Sequence, residues 1–275
     1  MSLCYHQSER KCKPTIDSTM TTSDKGYVTY QSENNIGTIE FFHPKGNSLP
    51  GSILKELTEV IHEASDDPST QVVVLKSGGT GAFCAGASFD ELCNISNADE
   101  GKEFFMGFAN VINAMRTCPK MIICRVHGKA VGGGIGIVAA SDFSVAMKGA
   151  SIRLSELSLG IGPFVVGPAV GRKLGTSAFA TLAIDAKSWY DSEWAVSNGL
   201  YNKLTDSIEE LDEEVERLAK NLSESNPDAL HNLKDIMWQS TGHWSATLEQ
   251  RAEISGELVL SDYTRNFIAD FQKNH

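Results

Sequence analysis

The chain has 275 residues, 41% hydrophobic and 21% charged, a balance that favours a packed globular protein over a disordered one. Against 35 Asp and Glu stand 24 Lys and Arg, a formal net charge of −11, which excludes a general binder of nucleic acid or anionic membrane because both need a basic face. The most apolar stretch, residues 121–140, is interrupted by Arg125, His127 and Lys129, so no bilayer span is expected. Residues 1–22 read as a disordered leader, polar and mixed in charge, without the apolar centre of a secretory signal. The cysteines (Cys4, Cys12, Cys84, Cys93, Cys118 and Cys124) form no CxxC pair and have no histidine at metal spacing. No metal site is expected, and reduced thiols fit a cytoplasmic protein.

Tyr27–Tyr30 and Ile36–Phe42 read as two β-runs split by Asn34-Asn35, a hairpin signal. Pro50 sits where a helix starts, and Leu54, Leu57, Ile61 and Ala64 keep helical spacing up to Asp66-Asp67-Pro68. Val72–Leu75 is an all-apolar run of the kind a parallel sheet buries on both faces, and a glycine-rich loop follows it. Phe104, Phe105, Phe108, Val111, Ile112 and Met115 predict an amphipathic helix that closes before Pro119. Met121–Val126 reads as a buried strand, Gly132–Ala140 as a helix of small residues, and Phe143–Met147 and Ser151–Leu154 as short strands. Beyond about residue 163 the β signal fades, and helices are expected over Ser177–Ile184, Ser192–Ser197, Ile208–Leu222, Pro227–Trp238 and Leu248–Leu260. Strands alternating with helices, then helices alone, predict an α/β core over 23–205 and a helical C-terminal region over 206–275.

Three segments have the composition for chemistry. Phe83-Cys84-Ala85-Gly86-Ala87-Ser88-Phe89 follows a strand and loop, and its small residues let a ligand approach the main chain. Ser88 is placed to cap a helix over Phe89–Ile95, although taken alone the segment reads more readily as a plain tight turn. Gly132-Gly133-Gly134-Ile135-Gly136 opens a helix at a cost of roughly 0.5–1 kcal/mol per glycine relative to alanine. Two reasons stay open: close packing, or helix N-terminal amides that touch a ligand oxygen. Glu156, within Ser155–Pro163, is an acid among apolar residues and glycines, where a lone glutamate is usually solvated surface. Gly134-x-Gly136-x-x-Ala139 also matches a dinucleotide fingerprint and makes an NAD-dependent oxidoreductase an alternative. Counting against it, residues 127–131 separate the strand's end from the glycine run at 132–134, where the fingerprint wants a tight turn.

In this order and spacing the segments resemble the crotonase superfamily, the enoyl-CoA hydratases and isomerases, over residues 27–270. Pro44-Lys45-Gly46-Asn47-Ser48-Leu49 and Ala195…Gly199-Leu200 extend the similarity. The resemblance implies a crotonase-like α/β fold: a ββα spiral core with C-terminal helices that build a homotrimer or a pair of trimers. It implies an acyl-CoA thioester substrate and no separate cofactor, coenzyme A being part of the substrate. By motif position the amides of Ala87 and Gly133 would form an oxyanion hole, with Glu156 as the catalytic acid and base. Substrate contacts would fall at Lys45, Ser48, Ala85, Ser88, Phe89, Gly134, Gly136 and Phe164.

The sequence also departs from that pattern. The family's hydratases carry a second glutamate three residues after the middle glycine, and Gly136 stands there. A variant aspartate eight residues after the glutamate is here Phe164, and Ser88 replaces the aspartate of an A-G-A-D turn. The segment around Lys45 is one residue shorter than usual. Glu156–Pro168 lacks the common P-G-G-G-T-Q run, which implies a pocket of its own shape, for branched or short acyl groups. One carboxylate suffices to shift a double bond, whereas hydration also needs an oriented water. The expectation is therefore a single-acid enzyme that isomerises or hydrates an enoyl-CoA; a catalytically weak acyl-CoA-binding member is the alternative.

Overall fold

A computed structural model describes residues 26–274; the leader read over 1–22, with Cys4 and Cys12, lies outside them. The first two strands, β1 (Tyr27–Glu33) and β2 (Ile36–Phe42), pair antiparallel. Asn34 and Asn35 both adopt left-handed φ (52° and 62°), the conformation a two-residue hairpin turn requires and asparagine tolerates. Three further long strands, β4 (Val72–Ser77), β6 (Met121–Val126) and β8 (Phe143–Met147), continue the sheet in parallel. A short β10 (Lys203–Thr205) completes the order β1-β2-β4-β6-β8-β10.

Each of β2, β4, β6 and β8 is followed by a two-residue strand: β3 (Ser48–Leu49), β5 (Gly86–Ala87), β7 (Ala130–Val131) and β9 (Ile152–Arg153). These pair in parallel as β3–β5 and β7–β9, and a Cys84–Ala130 bridge links the two ribbons. Helices then return the chain: α1 (Gly51–Asp66), α2 (Phe89–Asn94), α3 (Ala98–Thr117) and α4 (Gly133–Ala140). The long-strand, short-strand, helix unit thus repeats along the chain as the ββα spiral expected from the sequence.

Both sheet faces are covered, which is why residues 72–75 of β4 and residues 121–124 of β6 are wholly apolar. One face packs Val73, Leu75, Ile122 and Cys124 into the main core with α1, α3 and α4. The other presents Val72, Val74, Ile123 and Val145 to Leu211, Val215 and Ala219 of α7 (Ile208–Ser223). Helix α8 (Pro227–Met237) is anchored by Lys234, which is 2% exposed. Its Nζ donates to Asp142 Oδ2 at 2.8 Å, Lys120 O at 2.9 Å and Met115 O at 3.1 Å, and Trp238 Nε1 donates to Asp142 Oδ1 at 2.7 Å. Helix α9 (Trp244–Leu258) lies along α3 so closely that a Cβ on Gly101 would sit 2.7 Å from Gly256 Cα.

Four elements differ from the sequence expectation. Helix α5 (Gly167–Ile184) starts at Gly167, not Ser177, and breaks at Gly175 (φ 78°, ψ 164°), where the glycine interrupts the helical pattern. β10 went unseen because three residues are too few to show alternation. Trp244, not Leu248, opens α9. A last helix, α10 (Asp262–Asn274), was not expected, since its aromatic residues form only a narrow stripe on a polar segment. Helix α6 (Ser192–Ser197) has the expected bounds. Among the described residues no helix is long and apolar enough to cross a membrane.

Candidate active site

A cavity of about 720 Å³ opens between the short-strand layer, α3, α10 and the 3₁₀ turn Glu156–Leu159. Its volume suits a small-molecule ligand. Of the residues singled out from sequence, Ser48, Ala85, Ala87, Phe89, Gly133, Glu156 and Phe164 share its wall. Phe104, Phe105 and Phe108 from α3 and Ile161 supply much of the apolar surface.

Three turns converge there. Gly86 has φ 92°, and a Cβ on it would lie 3.2 Å from Val131 O and 3.9 Å from Gly133 N, so the turn carrying Ala87 abuts the start of α4. Gly132 caps that helix with φ 52° and ψ −117°, a conformation only glycine adopts readily, and its N–H donates to Arg153 O at 3.1 Å. As the first helical residue, Gly133 has an amide with no partner inside the helix, at the end where the helix dipole favours negative charge. On the far side, a Cβ on Gly132 would stand 3.1 Å from Glu156 Oε1. Ser48 braces the arrangement from behind, its Oγ donating to Ala87 O at 2.9 Å.

Glu156 opens the 3₁₀ turn, which Gly160 closes in the left-handed region (φ 82°) while Ile161 N donates to Glu156 O at 3.2 Å. Its Oε2 is buried and has no hydrogen-bond partner among the described residues. Burial pushes the carboxyl up to about 7, opposed only by a bond to its own backbone. A carboxyl with that affinity exchanges a proton readily near neutrality. Glu156 is therefore not the solvated surface acid that its residue type alone suggests.

The remaining residues lie elsewhere. Gly134 and Gly136 are off the cavity wall: a Cβ on Gly134 would meet Cys84 O at 2.7 Å, and one on Gly136 would meet Val166 Cγ1 at 2.6 Å. Even Gly133, which is on the wall, is confined by Phe108, whose ring would lie 2.4 Å from an added Cβ. Close packing thus accounts for these three glycines, and this is the reason the sequence left open. The dinucleotide fingerprint finds no support for the same cause, since Gly134 and Gly136 are pressed on protein atoms and lie off the cavity wall. Ser88 is off the wall too; its Oγ accepts from Glu91 N at 3.3 Å as the cap of α2. Lys45 is exposed and ion-paired with Asp90, and Asp90 does reach the cavity.

Sequence reasoning missed Arg153, Lys187, Phe267 and Phe271 on the same wall. A cation inside the short apolar run Ser151–Leu154 was the available signal for the first. Phe267 and Phe271, one helical turn apart, were the signal for α10, whose Phe271 stacks on Phe89 with ring centroids 4.6 Å apart. Among the described residues no cluster of three or more His, Cys, Asp or Glu has the geometry to hold a metal.

Residues 31–266 match the family model described as enoyl-CoA hydratase/isomerase. The chain belongs to this family. A carnitinyl-CoA dehydratase of Citrobacter koseri is 31% identical over 195 residues, covering 70% of this chain and 73% of that protein. A short-chain-enoyl-CoA hydratase of Clostridium acetobutylicum is 30% identical over 184 residues, 66% of this chain and 70% of that protein. The crystal structure of an enoyl-CoA hydratase/isomerase from Xanthobacter autotrophicus Py2 shares the fold, with a TM-score of 0.81 at 19% identity over 90% of this chain and 93% of that one. Membership of the enoyl-CoA hydratase/isomerase family makes this an acyl-CoA-processing enzyme with the crotonase fold.

Proposed function

We propose that the enzyme moves the double bond of an enoyl-CoA, with Glu156 carrying the proton and the amides of Ala87 and Gly133 holding the thioester oxygen. The observation that supports this most is the buried, unpartnered Glu156 Oε2 beside the Gly132 cap of α4. A thioester oxygen in reach of both amides gains negative charge as a carbon-bound proton leaves. One such preorganised donor is worth roughly 10²–10³ in rate. Glu156 in its ionised form accepts the proton from one carbon and returns it two carbons along the chain, regenerating the carboxylate. Asp90 and Glu156 are the only carboxylates on the cavity wall among the described residues, and Asp90 is paired with Lys45. A second acid to orient water is therefore missing from this wall, as the glycine at 136 implied.

Hydration is the second reading, favoured by the hydratase relatives. Mass spectrometry of an enoyl-CoA panel in H₂¹⁸O separates the two: a shifted double bond without label means isomerisation, and label uptake means hydration. Replacing Glu156 with Gln should abolish either reaction while acyl-CoA binding persists; turnover at the parent rate would refute the role of Glu156. A trimer or pair of trimers is proposed as the assembly, with exposed Ile184, Ile236 and Tyr263 as apolar surface to be covered. Light scattering tests it.

A further inference from the structure

We propose that the cavity contains a subsite for a carboxylate on the acyl group, formed by Arg153 with Lys187 on the same wall, so that the substrate is a thioester of an unsaturated dicarboxylic acid. The inference rests on the acyl-CoA reading of the site and narrows its substrate class.

Arg153 lies on β9, and its carbonyl accepts the N–H of Gly132, so its main chain is one residue from the Gly133 amide. Arg153 lines the cavity, as does Lys187. The guanidinium is held against the Trp189 ring at 4.8 Å, and Lys129 Nζ lies 4.9 Å from the same ring. Arg153 Nε is buried and has no hydrogen-bond partner among the described residues. Among the described residues, none of the ion pairs includes Lys129, Arg153 or Lys187.

In a chain with 35 carboxylates, two cations on one aromatic ring and a third on the same cavity wall, none ion-paired among the described residues, are a departure that asks for an anion from outside. A buried N–H with no acceptor is costly, and a guanidinium fork matches a carboxylate in geometry and charge. The wall's own acids do not serve it: Asp90 is taken by Lys45, and the Glu156 carboxyl is governed by burial and its own backbone. The position decides between the anions an acyl-CoA offers. Arg153 starts one residue from the candidate oxyanion amide, whereas the whole pantetheine arm separates the thioester sulfur from the first phosphate of coenzyme A. The anion at Arg153 therefore belongs to the acyl chain.

The test uses two enoyl-CoA thioesters of equal chain length, one ending in a free carboxylate and one in its methyl ester. Turnover and calorimetric affinity are measured for the parent enzyme and for R153M, which keeps an aliphatic stem on Trp189, with R153K and K187M alongside. The parent should prefer the acid by about 10²-fold in kcat/KM, the effect of leaving one partner of a buried charge pair alone. R153M should collapse that ratio towards unity, with R153K and K187M intermediate. Equal handling of acid and ester by the parent, or a ratio that survives R153M, overturns the subsite. Acid-selective binding that R153M abolishes, without turnover of either thioester, supports the subsite and refutes the enoyl-CoA chemistry instead. Binding of neither thioester overturns both.

Discussion

Burying Glu156 has a thermodynamic cost that its replacement should reveal. An unfolded glutamate titrates near 4.5, and in the folded protein burial raises the carboxyl to about 7. Between those values the folded state holds a proton that the unfolded state has released. The contribution to stability is thus fully present below the lower value and is lost as pH rises through the upper one. The full difference corresponds to about 3 kcal/mol, at roughly 1.4 kcal/mol per pH unit. Glu156→Gln keeps the shape and removes the ionisation. Relative to the parent it should gain about 2 kcal/mol of stability between about pH 5.5 and about pH 8.5, the part of the penalty that develops in that window. Urea unfolding of both proteins at the two pH values gives the number directly. Activity should vanish in the same variant, a trade of function against stability. A stability difference that is flat with pH would show that the carboxyl is not shifted, and the account of Glu156 as a neutral-pH proton carrier would fall with it.

Gly136→Glu, which supplies the carboxylate that the family's hydratases carry at this position, should not create a hydratase. An added Cβ meets Val166 Cγ1 at 2.6 Å, so overpacking of about 1–3 kcal/mol is expected before the carboxylate is counted. Denaturant midpoints check this, and relief on adding Val166→Ala would confirm the cause. Lys234→Met leaves Asp142 buried without its cation and should destabilise by about 3–5 kcal/mol. Calorimetric unfolding measures it, and a loss below about 1 kcal/mol would mean the pair contributes little.

Much of the fold was legible because the apolar runs Val72–Leu75 and Met121–Val126 and the helical spacing of α1 and α3 are strong local patterns. What stayed hidden was set by tertiary contact. β10 is three residues added to an existing sheet edge, and α10 owes its place to aromatic contacts such as Phe271 on Phe89. At the site, the segments around Ala87, Gly133 and Glu156 could be picked out from their small residues and lone acid. Their convergence could not, because it depends on β5, the α4 cap and the 3₁₀ turn meeting across about 70 residues of chain. The glycine run shows the ambiguity most plainly. Its composition fits a ligand cradle, yet Phe108, Cys84 and Val166 occupy the space that side chains at 133, 134 and 136 would need.

The alternation of long strand, short strand and helix has an evolutionary corollary. Ala87, Gly133 and Glu156 sit on successive windings, after β4, β6 and β8 respectively. Each winding contributes its tip to a common chamber, while its own long strand and helix keep the scaffold intact. A change in one tip can therefore reshape the chamber wall without renegotiating the other two.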